Sequence, residues 1–184
     1  MALEQVKEIM LPLDDYAVVS ENATMMDALE ALEAAQKKLP PGRQPHRAIL
    51  VVNADGHIIG KVGHLAFLRG LEPKYGKIGD LGILSQVGLS SDFINSMMDN
   101  LNLWKESFAD YVARAKTTKV KDIMHSVEES ISEEAPFSEA IHKIIMYQTL
   151  SLLVTRKDKV VGILRLSDLF TYITEYLKKS AKKS

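Results

Sequence analysis

The stretch Val6-Lys7-Glu8-Ile9-Met10 decides the fold, because it returns later in the chain as Val120-Lys121-Asp122-Ile123-Met124. The two halves continue to match in the same order: Ser20-Glu21-Asn22-Ala23 with Ser132-Glu133-Glu134-Ala135, Asp27-Ala28-Leu29 with Glu139-Ala140-Ile141, Leu50-Val51-Val52 with Leu152-Leu153-Val154, and Ile58-Ile59-Gly60 with Val160-Val161-Gly162. One short match could arise by chance, but a series of matches in order indicates an internal duplication.

The distance between matching residues shortens along the chain. It falls from 114 residues at Val6 to 112 at Ser20 and 102 at Leu50. We therefore predict that the first repeat holds two extra residues before its first helix and ten more after it, while the order of elements is kept.

The first repeat is predicted as helix, strand, strand and helix behind a short extended lead-in. Thr24 is a suitable cap for an amphipathic helix whose apolar spacing ends near Lys38. Apolar, branched residues then predict a hairpin with strands over 48–52 and 58–62. A second helix is predicted over 64–71.

The second repeat shows the same order of predicted elements. Pro136 suits the first position of a helix, and strands are predicted over 150–155 and 160–165 around a polar turn. Ser167 is the predicted cap of a last helix that runs to about Lys178. Because units of this size leave one sheet face uncovered, we expect the two repeats to pack together.

These patterns divide the chain into four segments: a first repeat over 1–72, a helical insertion over 73–119, a second repeat over 120–178 and a basic tail over 179–184. The insertion matches neither repeat, and it carries two apolar helical stripes, one with Phe93, Met97 and Leu101 and one with Trp104, Phe108, Tyr111, Val112 and Ala115. It is either a helical hairpin lying on its own module or a dimer or partner surface.

The composition excludes several classes of protein. The chain has 184 residues, 46% of them hydrophobic, a formal net charge of −1 and no cysteine. Disulfide frameworks, thiolate nucleophiles and cysteine-based metal sites are therefore excluded, and nucleic-acid binding is not favoured. The apolar stretches are shorter than the roughly 20 residues that cross a bilayer. We expect a cytoplasmic protein that does not insert into a membrane.

Three motifs resemble the CBS domain, named after cystathionine β-synthase. They are the repeated lead-in, the stretch His46-Arg47-Ala48-Ile49-Leu50-Val51-Val52, and Gly162-Ile163-Leu164-Arg165-Leu166-Ser167-Asp168, which ends in the Asp typical of the family. The resemblance implies an α+β fold in which two CBS repeats pack sheet to sheet about a pseudo-two-fold axis, here with the helical insertion between them.

The resemblance also implies a function. Paired CBS domains, called Bateman modules, commonly bind AMP, ADP, ATP or S-adenosylmethionine in clefts between the repeats, dimerise, and control an attached or partner protein. It therefore predicts a regulatory module, not an enzyme, that requires no cofactor, forms a homodimer and acts on an effector protein that the sequence does not identify.

Asp168 occupies the family's Asp position, where a carboxylate accepts hydrogen bonds from the ribose hydroxyls. The alternative is an acidic residue that only stabilises the start of the last helix. Arg165 replaces the usual Ser or Thr; its guanidinium can bind a phosphate, fill the cleft, or pair with an acidic residue. In the first repeat Gly63 and Ala66 stand at the matching positions, so we expect one functional site per chain.

Other candidates complete the predicted site. Ser167 and Thr149 are possible donors at the cleft mouth, and His46 and Arg47 are possible phosphate contacts from the other repeat, or simply a surface pair. An apolar slot for the base is predicted from Met124, Val127, Ile131, Leu152 and Ile163, each of which could equally be core.

No pattern of catalytic or metal-binding residues stands out. His46, His57 and His64 lack the spacing of a metal site, and no phosphate-binding loop or nucleophile elbow is present. Two functions remain open: a sensor of an adenosine nucleotide, or a ligand-free dimerisation and interaction module whose sites have degenerated.

Overall fold

The computed structural model describes residues 4–74, 90–100, 106–127 and 129–182. Its strands are β1 (Leu11–Pro12), β2 (Val18–Ser20), β3 (Ala48–Val52), β4 (Ile58–Gly63), β5 (His125–Ser126), β6 (Ser130–Ser132), β7 (Ser151–Arg156) and β8 (Lys159–Arg165). Its helices are α1 (Met25–Lys38), α2 (His64–Leu71), α3 (Ser91–Asn100), α4 (Phe108–Thr117), α5 (Phe137–Tyr147) and α6 (Leu166–Ala181). The α+β fold of two repeats is confirmed.

Each of the two sheets takes one strand from the other half of the chain. One sheet has the order β2-β3-β4-β5 and the other the order β1-β8-β7-β6. Strand β1, at the start of the first repeat, therefore pairs with β8 of the second repeat, and β5, at the start of the second repeat, pairs with β4 of the first. The two halves are joined by this exchange of edge strands.

The repeated lead-in is exchanged together with the strand that follows it. Val6 donates its backbone N–H to Ala135 at 3.0 Å, and Val120 makes the equivalent bond to Ala23 at 2.9 Å. Both valines are fully buried. The sequence places each lead-in before its own repeat, but in three dimensions each one completes the core of the other repeat.

Two equivalent glycines permit the close approach of the exchanged strands. A Cβ atom at Gly162 would overlap the carbonyl oxygen of Leu11, and one at Gly60 would lie 2.9 Å from the carbonyl oxygen of His125. Any larger residue at either position would push the exchanged strand away from its sheet.

Three hydrophobic cores follow from this arrangement. An outer core in each half lies between a sheet and its helices, and a third core lies between the two sheets. The inter-sheet core contains the buried residues Leu11, Tyr16, Leu50, Leu153 and Ile163. The expected packing of sheet against sheet is present here, and the clefts lie at the edges of this core.

Most local predictions agree with the structure. Thr24 accepts a hydrogen bond from the Asp27 backbone N–H at 3.1 Å, and Asp27 accepts in return from the Thr24 N–H at 2.7 Å, which completes a capping box. The prediction that Ser167 caps the last helix is wrong: α6 begins at Leu166, Arg165 is at the cap position, and no side chain caps the helix.

The alignment of the repeats needs one correction. Leu50 pairs with Lys61, and the equivalent pair is Leu153 with Ile163, so Leu50 corresponds to Leu153 and not to Leu152. The sequence alignment was displaced by one residue because several apolar residues follow one another in both strands. The hairpin of the second repeat is therefore one residue shorter than the hairpin of the first repeat.

The described part of the insertion is helical, as predicted. Helix α4 begins behind a capping box formed by Ser107 and Asp110, and it contacts α1 and α2. Arg114 donates to the carbonyl oxygen of Leu71 and forms an ion pair with Glu106 at 3.0 Å. Leu101, Trp104 and the Met97 side chain lie outside the described residues. Within the described residues no helix is long and apolar enough to cross a membrane.

Candidate functional site

Asp168 and Arg165 form a buried ion pair at the start of α6. The Arg165 guanidinium donates through Nε to Asp168 Oδ2 at 2.5 Å and through Nη2 to Oδ1 at 2.8 Å. Each side chain is only 5% exposed. The residues are three positions apart across the first turn of the helix, so the pair is bidentate, a strong geometry for arginine and carboxylate.

The loop before β3 brings first-repeat residues to this pair. Arg165 Nη1 donates to the carbonyl oxygen of Gln44 at 2.8 Å and lies 3.4 Å from His46 Nδ1. Arg43 adds a second guanidinium, with Nη1 3.3 Å from Asp168 Oδ1. Two arginines, one from each half of the chain, therefore contact the carboxylate of Asp168.

His46 is the fully buried member of this cluster. Its ring packs edge-on against Tyr16, with the centroids 4.5 Å apart, and Gln36 holds its backbone through two hydrogen bonds. Burial lowers the pKa of His46, and the positive charge of Arg165 lowers it further, although Asp15 and Asp168 act in the opposite direction. Burial also raises the pKa of Tyr16 to about 12.

The tautomer of His46 follows from its neighbour. Arginine has no acceptor, so the approach of Arg165 Nη1 requires His46 Nδ1 to accept, and the proton then resides on Nε2. Within the described residues Nε2 has no hydrogen-bond partner. The Asp15 backbone nevertheless lies near enough to the ring to raise the pKa of His46, so this buried ring is not isolated from acceptors.

A pocket of about 170 Å³ opens beside the ion pair. It lies between the first lead-in, the loop before β3 and helix α6, and it is lined by Ile9, Gly42, Arg43, Gln44, Asp168, Thr171, Tyr172 and Glu175. Ligand sites for molecules of drug size typically have volumes of roughly 300–1,000 Å³. As described, the pocket accommodates only part of a nucleotide unless the ion pair rearranges.

The structure brings together three of the predicted polar residues, Asp168, Arg165 and His46. Ser167 is half-buried on the same helix but does not line the pocket. Arg47 is exposed, whereas its neighbour His46 is fully buried with its ring against Arg165. The idea that the first repeat contributes to the cleft of Asp168 agrees with this geometry.

The predicted base slot is not assembled. Met124 packs on the outer core of the first half, Ile131 belongs to the outer core of the second half, and Val127 and Ile163 lie in or against the inter-sheet core. The reason is the exchange of lead-ins: the residues after Val120 cross to the first sheet. The apolar lead-in residue at the Asp168 pocket is Ile9 instead.

Sequence reasoning missed Arg43, Gln44 and Ile9. Arg43 and Gln44 follow the stretch Pro40-Pro41-Gly42, which in the sequence indicates only the end of the first helix. The repeated lead-in was the available signal for Ile9, since a duplicated segment can pack on either copy.

The predicted donor Thr149 lies in the second, equivalent cleft. There Lys61 of β4 donates from Nζ to Thr149 Oγ1 at 3.0 Å and to Ser151 Oγ at 3.4 Å. Burial lowers the pKa of Lys61, and the negative charge of Glu129 opposes that shift. Each cleft therefore contains one basic side chain from the strand that leads into its second helix.

The residues that could ligate a metal are dispersed. Across ranges 4–74, 90–100, 106–127 and 129–182, no three His, Asp or Glu side chains converge in a way that could hold an ion.

Comparisons with known proteins agree with the fold. The family model of the CBS domain matches residues 6–71 and 120–175, which is more than half of the chain. No curated protein matches the chain.

Solved structures share the arrangement at low sequence identity. A putative acetoin utilization protein (AcuB) from Vibrio cholerae is 19% identical, with 99% of this chain and 98% of that chain covered and a TM-score of 0.59. CBSX2, a CBS-pair protein of Arabidopsis thaliana solved in complex with AMP, is 17% identical, with coverages of 94% and 98% and a TM-score of 0.57.

A third similar structure is the CBS domain of a bacterial CNNM/CorC family Mg²⁺ transporter in complex with ATP. It is 15% identical, with 93% of this chain and 87% of that chain covered and a TM-score of 0.56. At such identities these likenesses concern the fold.

Proposed function

The chain belongs to the CBS domain family, as a tandem pair, and from that premise we propose that it senses an adenosine-containing nucleotide in the Asp168 cleft and signals to a partner protein. The observation that carries the proposal is the cluster of Asp168 with Arg165 and Arg43 beside an open pocket. A carboxylate suits ribose hydroxyls, and two guanidinium groups suit a phosphate.

Two similar structures support the choice of ligand. CBSX2 was solved in complex with AMP and the transporter's CBS domain in complex with ATP. AMP, ADP, ATP and S-adenosylmethionine are the candidate ligands. The three nucleotides would offer the arginines a phosphate, whereas S-adenosylmethionine would offer them the carboxylate of its methionine group.

Binding exchanges the partners of Arg165. In the structure Arg165 donates to both carboxylate oxygens of Asp168, at 2.5 and 2.8 Å. When a nucleotide enters, Arg165 moves to the phosphate and releases the carboxylate to the ribose, so both charges keep a partner. This exchange moves the loop of Gln44 and His46, which contacts the guanidinium, and so links the ligand to the other repeat.

The signal passes to a second copy of the chain and to an effector protein. Helices α2, α5 and α6 expose apolar side chains, among them Leu65 (62%), Leu68 (61%), Ile145 (67%) and Phe170 (64%). Exposed apolar side chains of this size are typical of an interaction surface. We assign a homodimer on this basis, and a cytoplasmic location in keeping with the absence of cysteine.

A ligand-free interaction module is the second candidate. The buried Arg165–Asp168 pair favours it, because the two charges already satisfy each other, and the pocket of about 170 Å³ is small. In that case the ion pair is a structural replacement for a ligand.

Thermal unfolding with each of the four ligands separates the two functions. A ligand at about 100 times its dissociation constant stabilises by about 2.7 kcal/mol, a shift of roughly 5–10 °C for a chain of this size. We expect at least one ligand to give such a shift. The shift should disappear in Asp168→Ala, or in Asp168→Asn if the alanine variant folds poorly.

The matched control is His64→Ala, since His64 is exposed at the start of α2 in the other half. This variant should keep the full shift. If none of the four ligands moves the melting temperature, the interaction module is the better account.

A further inference from the structure

Helix α6 extends past the second half of the molecule. It has 16 residues, whereas its equivalent α2 has 8. Every residue over 176–182 is exposed, so this segment, the overhang of α6, has no buried face within the described part of the chain. Helices in proteins owe most of their stability to the packing of an apolar face. The overhang nevertheless carries two exposed apolar residues, Tyr176 (45%) and Leu177 (60%), which indicates a surface that a partner covers.

The overhang is also positively charged. Lys178 and Lys182 lie four residues apart, on one side of the helix, next to Leu177. Neither lysine takes part in an ion pair within the four described ranges, and Lys179 lies 4.0 Å from Glu175, at the limit of contact. Pairing of two overhangs is disfavoured, because it would bring the lysines of both chains together. A partner of this surface therefore has to combine apolar with acidic side chains.

Helix α3 of the insertion has the complementary composition. Of the helices that the structure describes, it alone contains no Lys, Arg or His. Asp92 and Asp99 are seven residues apart, about two turns, and so lie on the same side of the helix. Both are exposed, and neither forms an ion pair with another described residue. Phe93, which follows Asp92, is 53% exposed and supplies an apolar side chain.

We propose that the overhang of α6 binds helix α3 of a second copy of the chain. Leu177 then packs beside Phe93, and the lysines of the overhang face the two aspartates of α3. In a dimer with two-fold symmetry this contact forms twice, with α3 of each protomer on α6 of its partner. The inference rests on the homodimer of the proposed function and names segments through which it forms. Both segments lie outside the two CBS repeats, which end at residues 71 and 175.

Sedimentation velocity of the full chain over a range of concentrations gives the dissociation constant of the dimer and tests the proposal. We expect Lys178→Glu with Lys182→Glu to weaken the dimer about 10- to 100-fold, because the lost ion pairs occur twice in the dimer and are replaced by repulsion. The matched control is Lys37→Glu with Lys38→Glu. It reverses two exposed lysines at the end of α1 and should leave the dimer unchanged.

The converse reversal, Asp92→Lys with Asp99→Lys, should weaken the dimer to the same extent. Mixing the two charge-reversed proteins then distinguishes this contact from any other dimer surface. In the mixed dimer the acidic α3 of one protein meets the unchanged lysines of the other, and the basic α3 meets the reversed overhang, so both contacts are attractive. We expect the mixture to dimerise with about wild-type affinity although neither protein does so alone.

Three results would overturn the inference and leave the proposed homodimer intact: a dimer as stable in both charge-reversed proteins as in the wild type, failure of their mixture to dimerise, or an equal loss in the control. A wild type that stays monomeric at every concentration would remove the homodimer together with this contact, and would leave the overhang to an acidic helix of the effector protein. None of these results bears on the Asp168 site, which the nucleotide-dependent thermal shift tests separately.

Discussion

The two clefts of this molecule are built from equivalent elements, but their basic side chains have different partners. In one cleft Arg165 is buried against Asp168, Gln44 and His46. In the other Lys61 is half-buried between two hydroxyl groups without a carboxylate in contact among the described residues. The duplicated fold thus places a basic side chain in each cleft, while a few substitutions decide whether a carboxylate of the chain is in contact with it.

The largest effect should come from breaking the neutralised pair. Among the described residues, Asp168→Ala leaves the buried Arg165 with the Gln44 carbonyl and His46 as its hydrogen-bond contacts, and loss of one partner of a buried pair destabilises by about 3–5 kcal/mol. Urea unfolding of the purified variant measures this change. Glu30→Ala, which removes an exposed carboxylate from α1, should change stability by less than about 0.5 kcal/mol. Equal stability of Asp168→Ala and wild type would show that the pair is not formed in solution.

The two exchanged strands should also differ in how far an alanine at the glycine facing each of them destabilises the protein. A Cβ atom at Gly162 meets backbone, the carbonyl group of Leu11, whereas at Gly60 the nearest atom is the flexible Met124 side chain. We expect Gly162→Ala to destabilise by roughly 1–3 kcal/mol, and Gly60→Ala by less. Chemical unfolding of both variants gives the comparison. The reverse order would mean that the two edges of the molecule are not packed as described.

Removal of the two basic side chains should change stability with opposite signs. Lys61→Met replaces a half-buried cation that no carboxylate contacts within the described residues, although Glu129 acts on it from further away, and it should leave stability unchanged or raise it by up to about 1 kcal/mol. Arg165→Met leaves Asp168 buried with Arg43 as its remaining cation, at 3.3 Å, and should destabilise. Parallel thermal unfolding of the two methionine variants in phosphate-free buffer tests the difference, and the same sign for both would contradict it.

The free energy of unfolding should depend weakly on pH through His46, and this contribution should fall as the pH is lowered. The pKa of His46 is lowered in the folded state, mainly by burial, so the unfolded chain takes up its proton first as the pH falls below 6.5. The stability contributed by neutral His46 is therefore lost on acidification from about pH 6.5 down to the lowered folded pKa. His46→Gln should flatten this part of the stability curve, and His142→Gln, an exposed histidine on α5, should not. An unchanged curve in His46→Gln would assign the slope to other groups.

The local features of the fold could be predicted from the sequence because they depend on neighbouring residues. The capping box of Thr24 and Asp27 and the hairpin strands follow from short patterns, and the duplication itself is visible in the repeated lead-in. The exchange of lead-ins could not be predicted. The bond from Val6 to Ala135 joins distant parts of the chain, and the same apolar pattern would satisfy either sheet edge.

The site was predictable only in part, for the same reason. Asp168, Arg165 and His46 were found because they lie in motifs that the family shares. Arg43 was missed because it reaches the carboxylate from a loop without a regular pattern. Met124 was placed in the wrong half because its position depends on the exchange of the lead-in.

Isothermal titration calorimetry of AMP into the wild-type chain and Asp168→Asn tests the central claim most directly. The account predicts saturable binding of one AMP per chain to the wild type, with the binding lost in Asp168→Asn while that variant remains folded. Equal binding by both proteins, or no heat of binding to the wild type with AMP and with the three other candidate ligands in turn, would contradict it.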